Sequence, residues 1–423
     1  MKTKFIVMAA MAALFSMSFT ACSNNDEDLT SKMVDSPNVM GFSVNANGNL
    51  VTRGVETNAT NALSQITSFQ TWAYDDNNDV LYMGDNATTG RIVSNTGTAL
   101  SPAWTYNPVQ FWPVHPLNFV SVAPSAAPTG GTLTHTTASA SNVVTLTSTF
   151  VNPTDVENQV DLVYAEADDI EKGDDTGNVP FTFKHALSQI LFKGKFNAAG
   201  AVTKVVIAEI SMVNVEKGAT IAYTSTGQWF GGANSGLYPT VGTPNLATFK
   251  LDASDLEGST FEAADYHHAA VLYADETEYN TAKGTSLTAE EFSALTTEQK
   301  TKTPAYEDAF ALTTSENSTK KNAWFMVPQR TAKASGTYKA GDAAPASGCY
   351  LKVRAQLEKD GVVILGNAEA DALYIPFDAN WDRSMKYIYT LEFNGVGALT
   401  PITFSVAAQN WTEADPQPDD LSF

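Results

Sequence analysis

Short segments in which apolar and polar residues alternate, separated by clusters of turn-forming residues, dominate this sequence. Met40, Phe42 and Val44 alternate with small or polar neighbours, a period that is typical of a strand with one buried face. Comparable segments recur along the chain at 66–74, 80–83, 143–150, 181–183, 190–196, 202–215, 323–327, 350–357, 385–393 and 402–406. Many short strands separated by turns predict an all-β chain built from antiparallel β-sandwiches.

Evidence for helices is confined to one place. The run Thr288-Ala289-Glu290-Glu291 has the capping-box pattern, which predicts one short helix near 288–300, inside a surface excursion between strands. No fixed-period repeat divides the chain, and glycine and proline concentrate at 236–244, which favours a boundary there. The 423 residues are long enough for two or three domains, since roughly 150 residues make a domain.

The charge balance narrows the possible partners. The chain has 46 Asp and Glu against 25 Lys and Arg, a net charge of −21. A field of that sign repels phosphate, which argues against nucleic acid as a partner and against docking on anionic membranes. Five histidines and two cysteines are too few for a Cys-rich zinc module or a disulfide scaffold.

Motifs for catalysis or cofactor binding are missing from the sequence. It has no Gly-x-Ser-x-Gly elbow, Walker loop or His-Glu-x-x-His. Asp75, Asn77 and Asp79 imitate the start of a calcium loop, but Val80 occupies the position that needs glycine, so a hairpin turn is the better interpretation. His267 and His268 are adjacent, and neighbours in a strand point to opposite faces. The sequence therefore predicts no enzyme, no metal site and no cofactor.

The amino terminus has the pattern of an export signal. Lys2 and Lys4 precede an apolar, uncharged stretch over 5–20, which is short for a membrane-spanning helix. The run Phe19-Thr20-Ala21-Cys22 resembles a bacterial lipobox. Residues 1–21 are thus predicted to be a lipoprotein signal peptide, with Cys22 lipidated and inserted in the outer membrane. An ordinary signal peptide with an incidental cysteine is the alternative.

Four segments, in this order, resemble those of fimbrillin-type pilins. They are 111–120 (FWPVHPLNFV), 181–190 (FTFKHALSQI), 325–329 (FMVPQ), and 387–391 (YIYTL) with 402–406 (ITFSV) leading to Trp411. Together they cover most of the chain, which is identified as a member of the fimbrillin family, the subunits of type V pili. The resemblance implies two tandem transthyretin-like sandwiches, here expected over 54–238 and 239–423. It also implies a place on the cell surface and in the fimbrium, and other pilin subunits as partners.

The family also implies proteolytic maturation. An Arg- or Lys-specific protease cuts the lipoprotein precursor, and Arg53-Gly54 resembles that site, with Lys32 as a second candidate. Residues 22–53 would then be a lipidated tether and removable pro-segment containing a strand over 39–50, with Met40, Phe42 and Val44 as its apolar side. Loss of this strand would leave a groove and an unpaired edge that can take a strand from another subunit.

The incoming strand is expected from the carboxyl terminus. Ile402, Phe404 and Val406 alternate well, whereas the last residues, 415–423, contain two prolines, which remove ladder donors. Either a longer carboxyl-terminal piece moves out, or the chain is an accessory or tip subunit that accepts a strand without donating one. The alternative function is a permanently lipid-anchored surface protein that binds glycans or host ligands.

Overall fold

The structure is a computed structural model. It describes residues 39–46, 51–52, 55–56, 66–98, 102–172, 177–197, 202–231, 245–268, 270–303, 306–314, 322–394 and 402–410.

Strands dominate these residues, as the alternation predicts. The strands before residue 232 are β1 Gly41–Ala46, β2 Val51–Thr52, β3 Val55–Glu56, β4 Ser68–Asp75, β5 Leu81–Met83, β6 Arg91–Asn95, β7 Trp104–Thr105, β8 Leu117–Ala123, β9 Thr132–Ala140, β10 Val143–Val151, β11 Val163–Ile170, β12 Asn178–His185, β13 Ser188–Phe196, β14 Lys204–Glu216, β15 Gly218–Thr224 and β16 Trp229–Gly231. The later strands are β17 Leu246–Asp252, β18 Thr260–Glu262, β19 His267–His268, β20 Val271–Leu272, β21 Thr301–Thr303, β22 Tyr306–Glu307, β23 Ala309–Ala311, β24 Trp324–Met326, β25 Gln329–Thr331, β26 Tyr350–Lys359, β27 Val362–Leu365, β28 Leu373–Pro376, β29 Ala379–Trp381, β30 Met385–Phe393 and β31 Ile402–Asn410.

The helices are short and lie almost entirely in the predicted excursion. They are α1 Ala263–Tyr266, α2 Glu276–Lys283, α3 Ala289–Ala294 and α4 Thr297–Lys300, with 3₁₀ turns at Val156–Asn158 and Glu369–Asp371. The expectation of a single helix over 288–300 is wrong, because a second capping box, made by Thr296 and Gln299, starts a new helix after Leu295 turns to an extended conformation. Within the described residues, no helix is both long and apolar enough to span a membrane.

Two sheets of the amino-terminal part pack face to face. The larger, here called sheet A, has the order β1-β12-β11-β8-β4-β6-β7, with β5 also paired to β4; sheet B has the order β16-β15-β10-β9. Side chains on the two faces of β4 lie in different apolar cores. Trp72 lies in the core between sheets A and B, whereas Phe69 lies in the core on the opposite face of sheet A. That opposite face has an apolar core of its own, enclosed by sheet A, β1 and the segment 104–112.

The carboxyl-terminal part forms a second sandwich. Sheet C has the order β23-β13-β30-β31, with β24 also paired to β13; sheet D has the order β17-β14-β26-β27, with β18 and β28 at its sides. Their facing sides form the largest apolar core among the described residues, with Phe192, Trp324 and Trp381 among its fully buried side chains. The all-β sandwich fold expected from the sequence is confirmed.

The expected boundary at 238/239 does not separate the two sandwiches. β13 and β14 precede it, yet they pair with β30 and β26 of the carboxyl-terminal part. β12 of sheet A runs into β13 of sheet C through Ala186 and Leu187 alone, and β14 of sheet D runs into β15 of sheet B through Lys217. The chain therefore crosses between the sandwiches within two nearly continuous strand pairs, without the glycine and proline cluster that the prediction relied on.

Candidate functional site

The first described strand, β1, occupies the edge of sheet A. β1 pairs in parallel with β12, from Gly41 opposite Asn178 to Ala46 opposite Phe183. At its start, the Met40 amide donates to the Gln110 carbonyl at 2.9 Å on the opposite side. The start of β1 thus lies between β12 and the segment around 110, with backbone partners on both sides.

The apolar side of β1 is buried. Met40, Phe42 and Val44 are 0%, 5% and 5% exposed, because period-two geometry turns all three toward the core of sheet A. Complete burial of side chains of this size stabilises a fold by roughly 1.5–3 kcal/mol each. We call the space that these three side chains fill the β1 groove.

Aromatic rings form the centre of the β1 groove. The Phe42 ring lies 5.7 Å from the Phe69 ring, 5.5 Å from the Tyr106 ring and 5.6 Å from the Phe181 ring, centroid to centroid. Edge-to-face and offset ring pairs of this kind add to the gain from burial. The groove is therefore shaped for an aromatic residue at the middle peg of the strand.

Tyr106 also secures the backbone of the strand. Its hydroxyl donates to the Met40 carbonyl at 2.6 Å and accepts from the Gln110 amide at 3.2 Å. Burial raises the pKa of Tyr106 to about 12, so the phenol stays protonated and remains a donor at physiological pH. The Trp112 indole donates to the Gly177 carbonyl at 2.9 Å, which ties the 106–112 segment to the start of β12.

The candidate donor strand is docked in its own sandwich. β31 pairs antiparallel with β30 over nine residues, from Ile402 opposite Phe393 to Asn410 opposite Met385. It is the last strand in the order of sheet C. Ile402 is buried, Phe404 is half-buried against the core, and Val406 is 51% exposed. The strand is thus held less deeply toward its carboxyl end.

A cleft of about 420 Å³ opens beside the start of β31. Its walls are the segment 333–338, strand β28 and Ile402. The ring of Tyr374 stands nearly perpendicular to that of Tyr338, at an interplanar angle of 82°. Since Ile402 is part of the wall, the shape of the cleft depends on β31 staying in place.

The processing residues predicted from the sequence, Cys22, Arg53 and Gly54, lie outside the described residues. β2 and β3, on either side of Arg53-Gly54, pair antiparallel with each other. Within the described residues, no group of three His, Cys, Asp or Glu side chains is placed to hold a metal ion.

The sequence did not predict Tyr106 and Gln110 as parts of the site. Nothing in the residues around them signals the contact, since Tyr106 reaches a strand 66 residues earlier in the chain. Phe181 and Phe183 lie in a predicted strand and in the segment 181–190, but the sequence assigned them no part in the site. Their alternation in β12 was the available signal. It places both side chains on one face of sheet A, in the same apolar core as the buried side chains of β1.

Comparison with known proteins finds a family model that matches part of the chain. Residues 52–236 match the model of a family described as fimbrillin-like. No curated protein sequence matches the chain. Among solved structures, a fimbrial protein from Bacteroides vulgatus is 16% identical, with 89% of this chain and 100% of that chain covered and a TM-score of 0.43. The carboxyl-terminally truncated tip fimbrial protein Mfa3 from Porphyromonas gingivalis is 10% identical, with 86% and 98% covered and a TM-score of 0.32.

Proposed function

We propose that this chain, whose residues 52–236 match the fimbrillin-like family model, is a structural or accessory subunit of a cell-surface fimbria that supports adhesion. Its precursor is exported as a lipoprotein with lipid on Cys22. An Arg-specific protease then cuts after Arg53 and leaves Gly54 as the first residue. Other pilin subunits are its partners.

One observation carries the proposal: a buried strand lies upstream of the expected cut. Met40, Phe42 and Val44 fill the β1 groove, and β1 precedes Arg53 in the chain. After the cut, only noncovalent contacts would hold β1 in place. The strand has the position and the burial expected of a removable placeholder.

Departure of β1 would leave a site that favours strand insertion. The backbone groups of β12 that now pair with β1 would lose their partners, and the rings around Phe42 would face water. Both changes are unfavourable, and a strand with apolar residues at every second position reverses both. If each subunit inserts a strand into the next, the contact is heterologous and does not close, so a filament grows.

Treatment of the purified precursor with an Arg-specific protease tests this function. We expect release of a fragment ending at Arg53, Gly54 at the new amino terminus by sequencing, and a shift of the product to high-mass polymers by size exclusion. The matched control is Arg53→Ala, which should stay uncut and monomeric. A trimmed product that remains monomeric at high concentration would contradict the proposal, as would equal polymerisation of the control.

A further inference from the structure

One long stretch of the sequence has no charged side chains. Residues 92–154 contain no Asp, Glu, Lys or Arg, although the whole chain has 46 acidic and 25 basic residues. The stretch includes β9 and β10 of sheet B, and β15, the next strand of that sheet, also lacks these residue types. Three neighbouring strands of a strongly acidic protein are therefore neutral.

The outward side of these three strands forms a neutral surface. Their inward side chains lie in the core between sheets A and B, so the alternate side chains face away from that core. Across the sheet, Thr134, Thr149 and Thr220 lie side by side, and Thr136, Thr147 and Ala222 form the next row. We call the outward side of β9, β10 and β15 the neutral face.

The neutral face is exposed along β9, where Thr134, Thr136 and Ala138 are all open to solvent. An exposed surface of this size ordinarily has about three charged side chains, since roughly a quarter to a third of surface residues are charged. Depletion of charged residues is the compositional feature that distinguishes the centre of a protein interface from the rest of the surface. The neutral face therefore has the composition of a contact surface.

We infer that the neutral face binds the same face of a second copy of this chain. Two copies with a net charge of −21 each repel one another where their acidic surfaces meet. On the neutral face, neither copy brings a charge that repels the other or that has to be desolvated. A two-fold axis would place threonine and alanine side chains of one copy against the same residue types of the other.

The edge of β9 is less suitable for this contact than the face. β9 is the last strand of sheet B, but the Thr137 amide donates to the Ala87 carbonyl at 2.7 Å, and the Thr137 hydroxyl donates to the same oxygen at 3.0 Å. The loop at Ala87 therefore occupies the middle of that edge, where an added strand would have to pair. This leaves the face of the sheet as the surface for a second copy.

The size of the neutral face predicts a weak contact. Three adjacent strands and the nine residues of β10 give a face of about 14 Å by 30 Å, so two copies would bury roughly 800 Å² in total. A stable pair buries at least about 1,200 Å². Free copies should therefore associate weakly, whereas copies held in a row would bind more tightly because their contacts act together.

The neutral face lies away from the β1 groove. The groove is on one side of sheet A, and sheet B packs against the other side. Subunits joined through the groove would keep their neutral faces accessible along the proposed fibre, so this contact would join neighbouring fibres side by side. That last step rests on the proposed function, whereas the contact itself needs neither the cut nor strand insertion.

Sedimentation equilibrium of the uncut precursor tests the contact. We expect the wild type to self-associate weakly as its concentration rises. Thr136→Glu and Thr136→Lys each place a charge at an exposed position of the neutral face, so like charges would meet and the association constant should fall at least tenfold. An equimolar mixture of the two variants should recover the association of the wild type, because opposite charges then meet across the contact.

Val362→Glu is the matched control. It adds the same charge as Thr136→Glu at a position that is 64% exposed in β27, outside the neutral face, and it should associate as the wild type does. Salt provides a second check. Association of the wild type should strengthen as the salt concentration rises, because salt screens the repulsion between two acidic copies and the neutral face has no ion pair to weaken.

The results separate this inference from the proposed function. A wild type that stays monomeric at every concentration, an equal loss in Thr136→Glu and Val362→Glu, or a mixture that does not recover would overturn the contact through the neutral face. None of these results involves the cut, so the fimbrial function would stand. Failure of the cut wild type to form polymers would overturn the fimbrial function and leave the contact standing.

Discussion

At the scale of single residues, Phe42 is the side chain on which the placeholder strand depends most. Its ring touches three others, so removal leaves a cavity with no nearby group to fill it. We expect Phe42→Ala to lower the free energy of unfolding of the precursor by about 3–5 kcal/mol, measured by urea denaturation. The neighbouring Ser43→Ala should change it by less than about 1 kcal/mol, and similar losses in both variants would show that the ring contacts are unimportant.

His135 gives the stability of the protein a pH dependence. The ring is buried, with Nδ1 2.9 Å from the Ser148 hydroxyl, and burial lowers the pKa of His135 from 6.5 to about 4. Between those values the unfolded chain binds the proton and the folded protein does not, so stability rises with pH across this window and is lost as the pH falls through it.

We therefore expect His135 to weaken folding by up to about 3 kcal/mol between pH 7 and pH 4. Unfolding free energies of wild type and His135→Gln, measured across this range, check it, because the variant should show a flatter pH curve. His115→Gln, at an exposed position, is the control and should keep the slope of the wild type. A variant slope equal to that of the wild type would contradict the prediction.

What the sequence could predict at this scale was alternation. Met40, Phe42 and Val44 could be placed on one side of a strand because a period of two is visible in neighbouring residues. Tyr106 and Gln110 could not be placed beside them, since that contact is set by how sheet A curls and joins segments that are distant in the chain.

At the scale of elements, β31 would meet two environments: its own sheet in the precursor, and the β1 groove of another subunit after assembly. Val406 is half-exposed in its own sheet, so Val406→Asp should leave the melting temperature of the precursor within about 2 °C, because exposed substitutions rarely cost more than about 0.5 kcal/mol. In the β1 groove the same carboxylate would be buried without a partner, which is costly. We expect polymer formation after cutting to fall at least tenfold, measured by size exclusion.

Val362→Asp is the matched control for this variant. Val362 is 64% exposed in β27 and has no part in the proposed exchange, so its polymers should form as in wild type. Normal assembly of Val406→Asp would count against β31 as the donor.

The helices show why element boundaries were harder to predict than element types. The box at Thr288 and Glu291 was visible in the sequence, but the run that follows looked like one helix. In the structure the helix ends at Leu295. The Thr296 side chain accepts a hydrogen bond from the Gln299 backbone amide and so caps the next helix. A capping residue inside a helical pattern competes with continuation of the helix, and local packing decides between them.

At the scale of the whole molecule, Arg383 joins the two sandwiches. Its guanidinium lies 4.6 Å from the centroid of the Trp229 ring and 5.7 Å from that of Tyr164, and it donates to the Tyr164 hydroxyl. Cation–π contacts of this kind contribute about 1–2 kcal/mol.

We expect Arg383→Gln to lower the unfolding free energy by about that amount and to broaden or split the thermal transition, because the sandwiches would unfold less cooperatively. Differential scanning calorimetry measures both effects. Lys333→Gln, which removes only an exposed ion pair, should change neither, and a single unchanged transition for Arg383→Gln would contradict the prediction.

The two-sandwich architecture was predictable, but the division of the chain between the sandwiches was not. Clusters of glycine and proline mark linkers at which a chain leaves one domain and does not return to it. Here the chain crosses at Ala186-Leu187 and returns at Lys217, each time between two strands and without a cluster of glycine and proline. Composition does not reveal such crossings, because the same alternation continues on both sides.

The direct passage from β12 into β13 has a mechanical consequence for the proposed fibre. Tension would enter the joint through the amino-terminal end of the inserted strand, which is attached to the neighbouring subunit, and leave through the carboxyl end of β12. If the inserted strand runs parallel to β12, as β1 does, these points lie at opposite ends of the joint. The hydrogen bonds between the inserted strand and β12 would be loaded together in shear rather than broken one at a time. Only two residues separate β12 from β13, so this connection would extend little under tension.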